Sequence, residues 1–523
     1  MPSTQHFAPD NPSTRPRSKN NEARLWIFLV AAVALLLAFV ATGLILTISP
    51  QSSQAARPSS DEEVDSTADL ATYLIEGHEA AIAGWGNGQY GQLGSAQFIK
   101  DAPRAITEAT PDGGTSAPIV PDLGGLDPEE IDKIFAEESY AIAVTNSGDL
   151  YYWGGPSDTG MPGPFEGLTT TPTLFATADD FGGQKVAQLA LSIDYVVALT
   201  ENNELYSWGS NAAGGLGIGK PETDQELEAR PDHDMYYKIQ RVKTDATGGN
   251  TIVEIDGGTS HTLALDDQGT VYAWGNGLGG QLGDEETYTG ATANYRAAES
   301  GAYEPVAIDT GALSDTKTSK IAAGGHHSLA LTADDEVVAW GSNYLGQIGD
   351  AHPVSEETSF EAPQTTTLAE DITAESGSEI VDLVTAQHSS YAITASGEVY
   401  GWGSNEYDQL SVNVANEERS HEANPDPEQI GGDLAEERVI DLVASRYHVL
   451  ALTENNTLFT WGLESYEALG PNADGTGESS ANGTGGLTTV ATPIEVPLEN
   501  DRSELHVRHI AVGAFFSLAH MEQ

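Results

Sequence analysis

The residues Gly86-Asn87-Gly88-Gln89-Tyr90-Gly91 hold glycines at the spacing G-x-G-x-x-G. That spacing can cradle a dinucleotide pyrophosphate, because glycine lets the backbone approach the phosphates and a following helix N-terminus faces their charge. Histidine is the second chemistry-bearing set. His261, His326, His327, His388 and His448 sit just ahead of apolar runs, and imidazole serves acid–base work or metal ligation. A third set is oxygen ligands: Asn472, Asp474 and Glu478 in "PNADGTGESSANG" are candidates for Ca²⁺, although the D-x-D-x-D-G order and distal glutamate of a calcium loop are missing. Neither H-E-x-x-H nor G-x-S-x-G occurs, which leaves out the zincin and hydrolase-elbow sites. The chain has no cysteine, so disulfides, thiolate catalysis and cysteine-ligated metals are excluded.

The context of the glycines decides their chemistry. A dinucleotide turn must run straight into a helix. Here Gly-Gln-Leu-Gly follows, without a helical period, and a second G-x-G-x-x-G at Gly275, Gly277 and Gly280 falls in the same phase of a repeat. Of the 8 tryptophans, Trp26 stands apart and the other seven, Trp85, Trp153, Trp208, Trp274, Trp340, Trp402 and Trp461, each precede a glycine. "WGNGQYGQLG", "WGSNAAGGLG", "WGNGLGGQLG" and "WGSNYLGQIG" are its clear copies. A phosphate cradle is not needed several times along a chain; a turn is.

Three more elements accompany each turn. An apolar pair of runs precedes the tryptophan, as in "IAAGGHHSLALT", then comes a short alternating run such as "VYAWG". A proline-containing extended piece follows the turn: "APRAIT", "TPTLFAT", "EPVAID", "FEAPQTT", "PEQI" and "TPIEVP". Proline confines such a piece to a sheet edge. Four short strands per repeat, seven times over, predict an all-β, seven-bladed β-propeller. Trp85 has no apolar partner run before it, and "HIAVGAFFSLAH" at the other end has no Trp-Gly after it. The N- and C-terminal strands are therefore expected to share one blade and close the ring. The tryptophans read as core, and the histidines as polar groups bonding a blade turn.

The phrases "AAGGHHSLALT" and "VYAWGNGLGGQLG" resemble repeats of the regulator of chromosome condensation family over residues of about 75 to 523. The resemblance implies a seven-bladed propeller whose glycines and tryptophans serve blade geometry. Members of that family include a nuclear exchange factor for a small GTPase and secreted bacterial propellers, and no functional motif of theirs maps here.

Charge and the N-terminus set this chain apart from the nuclear members. Against 22 Lys+Arg stand 79 Asp+Glu, a formal net charge of −57, which repels phosphate backbones and disfavours nucleic acid. Leu25 to Ile48 is uncharged over 24 residues, roughly 36 Å as a helix and enough to span a bilayer. Arg15, Arg17, Lys19 and Arg24 precede it and Asp61, Glu62 and Glu63 follow. This bias places residues 1–24 in the cytoplasm, 25–48 as a single-pass signal-anchor helix, 49–74 as a flexible acidic Ser-Pro linker, and 75–523 as an extracellular propeller. A cleaved signal peptide, with small residues near Ala55, is the alternative. The expectation is a membrane-anchored, bacterial-type member.

Acidic insertions run from Gly217 to Val253, Gly283 to Ser319, Asp350 to Glu379 and Leu410 to Arg438. They point to a cell-surface binding or scaffold protein expected to recognise a cationic protein or envelope component, without a required cofactor beyond the candidate Ca²⁺. Solubility alone would account equally for the acidity. The alternatives are an enzyme assembled near the propeller axis from several blades, with carboxylates of shifted pKa, and an exchange factor for a GTPase.

Overall fold

The computed structural model describes residues 80–94, 114–119, 123–155, 169–220, 235–286, 301–349, 359–411, 423–466, 468–470, 488–496 and 506–522, all within one compact unit, Asp65–Gln523. The predicted membrane span 25–48, the linker, the calcium candidates Asn472, Asp474 and Glu478, and residues 221–234, 287–300, 350–358 and 412–422 of the acidic insertions lie outside the described residues. No helix among the described residues is long and apolar enough to cross a membrane.

Seven four-stranded antiparallel sheets make up the fold. From the axis outward, blade 1 is Ile131–Glu137, Tyr140–Thr145, Leu150–Gly154 and Thr169–Ala176. Blade 2 is Val186–Leu191, Tyr195–Thr200, Leu205–Ser210 and Met235–Arg241. Blade 3 is Ile252–Gly257, His261–Asp266, Val271–Asn276 and Gly301–Ala307, and blade 4 is Thr318–Ala323, His327–Thr332, Val337–Ser342 and Ser359–Thr365. Ile380–Thr385, Ser389–Thr394, Val399–Gly403 and Asn424–Gln429 form blade 5; Val439–Ala444, His448–Thr453, Leu458–Glu464 and Thr488–Val496 form blade 6.

Blade 7 joins the two ends of the propeller. Its inner strands are His506–Val512 and Phe516–Glu522, and its outer strands are Ala80–Asn87 and Gly114–Ile119. Ala80 pairs with Glu522 and Gly86 with Phe516, so the ring is fastened by a ladder of backbone hydrogen bonds, as the unpaired terminal runs predict. The outer strand here is Gly114–Ile119; the "APRAIT" run at 102–107 lies outside the described residues. Inner strands touch their neighbours all the way round.

Local chemistry explains each strand's place. The outer strands carry Pro118, Pro172, Pro305, Pro363, Pro425, Pro427 and Pro493, where a missing N–H faces no further strand; blade 2 alone uses a proline-free outer strand. Six inner strands carry an irregularity after their first paired residue and that of blade 7 after its second, which turns Val253, Val381 and Ile440 outward. Part of the insertion between blades 4 and 5 is a helix, Leu368–Ser376, which buries Leu368 and Ile372 and stops at Gly377 in the left-handed region.

The core lies between blades. All seven repeat tryptophans are at most 1% exposed. Five of them donate Nε1–H to a turn carbonyl of the preceding blade: Trp153 to Gln92 (3.0 Å), Trp274 to Gly215 (3.0 Å), Trp340 to Gln281 (2.9 Å), Trp402 to Gln347 (3.1 Å) and Trp461 to Gln409 (2.7 Å). Each of these five indoles therefore fills an inter-blade cavity and pairs its one polar atom. Trp340→Ala is expected to lower the unfolding free energy by about 3–5 kcal/mol, read from the urea midpoint. A loss below about 1 kcal/mol would mean that the site collapses and that the indole is not an anchor.

Candidate functional site

The turns come first, because they carry the glycine motif. Asn87 Oδ1 accepts from Gln89 N (2.8 Å) and Gln92 Oε1 from Tyr90 N (2.8 Å). Gly91 N and Gly94 N close further bonds within the turn. Gly86 has φ +100°, and a Cβ there would lie 2.5 Å from the Phe515 carbonyl. The N–H groups that a phosphate would need are spent on the turn itself. The same pair of amide caps recurs at Asn276 and Gln281; Gln409 repeats the glutamine cap, while Asn405 Oδ1 accepts from Leu410 N across the turn.

Histidine fills one recurring position in three blades. His261, His327 and His448 begin second strands and are fully buried. Their Nε2 atoms meet Ser328, Ser390 and Ser517 of the next blade at 2.8, 2.9 and 2.9 Å. Ser328 Oγ gives its proton to the Gln281 carbonyl (3.0 Å), and Ser390 Oγ gives its own to Gln347 (3.0 Å). A serine hydroxyl has one proton, so Nε2 of His261 and His327 must be the donor, and burial keeps each imidazole neutral. Burial pushes His261 down to about 3 and His448 to about 4. Gly324 makes room, since a Cβ there would sit 2.1 Å from His327 Cε1.

The expected bond to a blade turn thus runs through a serine. His326 and His388 do not share the position. They lie one residue earlier, where their carbonyls accept from Ser342 N and Ser404 N. Tyr447 and Phe515 do the same for Leu463 N and Asn87 N.

Convergence of the inner strands gathers a second set of groups that the linear spacing hides. Glu137, Glu138, Gly257, Gly324, Gln387 and Arg446, from five blades, are among the residues lining a cavity of about 60 Å³ at the axis. Glu137 is pushed up to about 8 by burial, with Glu138 and Asp256 adding repulsion. Asp256 rises to about 6 by burial, although Ala323 N (2.7 Å) and Gly257 N (2.9 Å) donate to it. Farther along the axis, burial raises Glu254 to about 7 against the pull of Lys320, and Asp441 to about 6. Lys320 Nζ lies 4.0 Å from Glu254 and 3.7 Å from Asp382. Among the described residues no group of three or more His, Asp or Glu is placed to hold a metal ion.

A volume of about 60 Å³ admits a few waters, whereas small-molecule sites run to about 300–1,000 Å³. The carboxylates therefore act on stability. A carboxyl whose folded pKa lies above its unfolded value stabilises the fold while protonated, and that contribution is lost as pH rises through the folded value. The buried histidines, with lowered pKa, lose theirs only as pH falls below about 6.5. Above about pH 7.5 the histidine contribution is complete while Glu137 still titrates, so Tm should fall between about pH 7.5 and 8.5, and Glu137→Gln with Glu254→Gln should flatten the slope. An unchanged slope in the double variant would sink this account.

Comparison with known proteins places the scaffold. A family model described as the RCC1-like domain matches residues 196–523. Protein pim1 of Schizosaccharomyces pombe is 27% identical over 301 residues, 54% of this chain and 48% of its own length. The ultraviolet-B receptor UVR8 of Arabidopsis thaliana is 26% identical over 390 residues, 74% of each chain. The match to the human E3 ubiquitin-protein ligase HERC2 spans 77% of this chain but 7% of that protein. Among solved structures, Prp20p of Saccharomyces cerevisiae superposes with a TM-score of 0.63 at 20% identity, covering 86% of this chain and 92% of that one. Human WBSCR16 gives 0.63 at 18%, covering 85% and 99%. The chain belongs to the RCC1-like domain family.

Proposed function

We propose that this chain is a binding propeller that captures a cationic protein partner through its acidic loops, held at a membrane surface by residues 25–48. The net charge of −57 carries this reading. Acidity of that size raises the encounter rate with basic surfaces and disfavours anionic ones. Scaffolds of this kind leave recognition to loops and faces. Prp20p, which shares the fold, is described with binding to Gsp1p and histones, so a protein partner suits the architecture. The anchor rests on the uncharged run Leu25 to Ile48 and on the basic residues ahead of it.

An axial enzyme would require the shifted carboxylates that Glu137 and Glu254 supply. The small volume beside them argues against a substrate there.

The test is capture from cell-envelope extract by the immobilised full-length chain, at low and high salt, with and without a chelator. The expected result is one protein retained at low salt and released at high salt. Retention should weaken when Glu222, Asp224, Glu226 and Glu228 are replaced by their amides. Failure to retain anything at low salt would overturn the reading, and release by chelator alone would move recognition to the calcium candidates around Asp474.

A further inference from the structure

Inner turns and tryptophan turns near the axial cavity together carry a continuous aromatic arc. Tyr407 and Tyr447 lie 5.2 Å apart, Tyr447 stacks on Phe515 at 4.4 Å with a 20° interplanar angle, and Tyr466 meets Phe515 at 5.6 Å. These rings come from blades 5, 6 and 7 and are all half-buried. Arg446 is exposed beside them, at the cavity lining, with its guanidinium carbon 5.2 Å from the Tyr447 ring centre.

The electrostatic situation of Arg446 is unusual for this chain. Arg241, Arg438 and Arg508 each pair with a glutamate. Arg446 has no carboxylate within ion-pair distance among the described residues, although the chain holds 79 acidic residues. Glu138 feels the guanidinium, which pulls its carboxyl down against the effect of burial, and Glu138 and Glu406 both act on the Tyr447 hydroxyl, but neither forms an ion pair with Arg446. A guanidinium held on an aromatic face with its donors unspent is set up for a bidentate acceptor.

We propose that Arg446 and the arc Tyr407–Tyr447–Phe515 form a docking point for a partner segment that presents a carboxylate beside an aromatic or aliphatic side chain. This rests on the binding-propeller reading and names where and how the contact is made. Tyrosine, phenylalanine and arginine supply large rigid contact area at low entropic cost, and Tyr and Arg are enriched where binding energy concentrates. Charge complementarity fixes the occupant. The acidic field draws in a basic partner, and one cation set within that field accepts one carboxylate and so fixes the register.

The probes are phenylacetate, its neutral isostere phenylacetamide, and the 2-phenylethylammonium ion. Each is titrated against the full-length chain at physiological ionic strength, with binding read by saturation-transfer NMR. Phenylacetate should bind saturably, at least about tenfold more tightly than phenylacetamide. Arg446→Gln, at an exposed position, should abolish that preference while leaving Tm unchanged, and Arg446→Glu should transfer it to 2-phenylethylammonium. Equal binding of phenylacetate and phenylacetamide, undetectable phenylacetate binding, or a phenylacetate preference that survives Arg446→Gln would overturn the proposal. The extract capture described above separates the two claims. If Arg446→Gln retains the partner as fully as the unaltered chain does, the docking point is wrong and the binding reading stands. If the unaltered chain retains nothing, the binding reading falls on its own.

Discussion

One backbone carbonyl per turn holds this ring together. The carbonyl of Gln281 accepts Trp340 Nε1 and Ser328 Oγ from blade 4, filling both lone pairs, and Ser328 is bonded in turn by His261 of blade 3. Gln347 repeats the arrangement with Trp402, Ser390 and His327. Where blade 6 has Val449 in place of the serine, Tyr391 of blade 5 donates to the Gln409 carbonyl instead. The indole, the hydroxyl and the imidazole are all buried, so each must find a partner or cost its desolvation. That demand fixes blade spacing more sharply than apolar contact alone, which tolerates sliding. At the closing seam Trp85 Nε1 finds no partner among the described residues and Ser517 reaches Ala468 only at 3.4 Å. The backbone ladder from Ala80 to Gly86 therefore carries the joint there.

The repeating part of this structure was legible because it is local. Trp-Gly followed by Gly-Gln-Leu-Gly marks a strand and its turn within some ten residues, and proline marks the outer strand. The shared blade 7 followed from counting unmatched runs at the two ends. Distance defeated the rest. Glu137, Glu254, Asp256 and Asp441 belong to three strands separated by more than a hundred residues, and only convergence on the axis makes them neighbours. The aromatic arc was hidden for the same reason, since its rings come from inner turns and tryptophan turns of different blades. The helix Leu368–Ser376 lay inside a segment noticed for its acidity, and its two buried apolar residues, Leu368 and Ile372, give too short a period to stand out.

The axis shows why clustered carboxylates need not mean catalysis. Seven inner strands meeting at a centre bring equivalent side chains within a few ångströms, so any acid there gains neighbours of like charge and loses water. Both effects raise its pKa. Lys320 offsets the repulsion between Glu254 and Asp382, and backbone N–H groups of Gly257 and Ala323 hold Asp256. The polar groups beside the cavity are thus answered largely by the scaffold itself, and the space left admits little besides water.

Recognition is therefore left to the surface, where screening decides how charge is used. At physiological salt the Debye length is about 8 Å, so a net charge of −57 guides a partner only over the last stretch of approach. Within that range the field is not uniform. Arg446 sits among Tyr407, Tyr447 and Phe515 with the nearest acids too far to pair, and presents the opposite sign on low-entropy, half-buried rings. A basic partner drawn to the loops is still free to rotate, because diffuse attraction has little angular preference. One fixed cation removes that freedom, since only the orientation that brings a carboxylate to the guanidinium satisfies both fields. The long-range charge and the local reversal of it are in this way complementary requirements on a single partner surface.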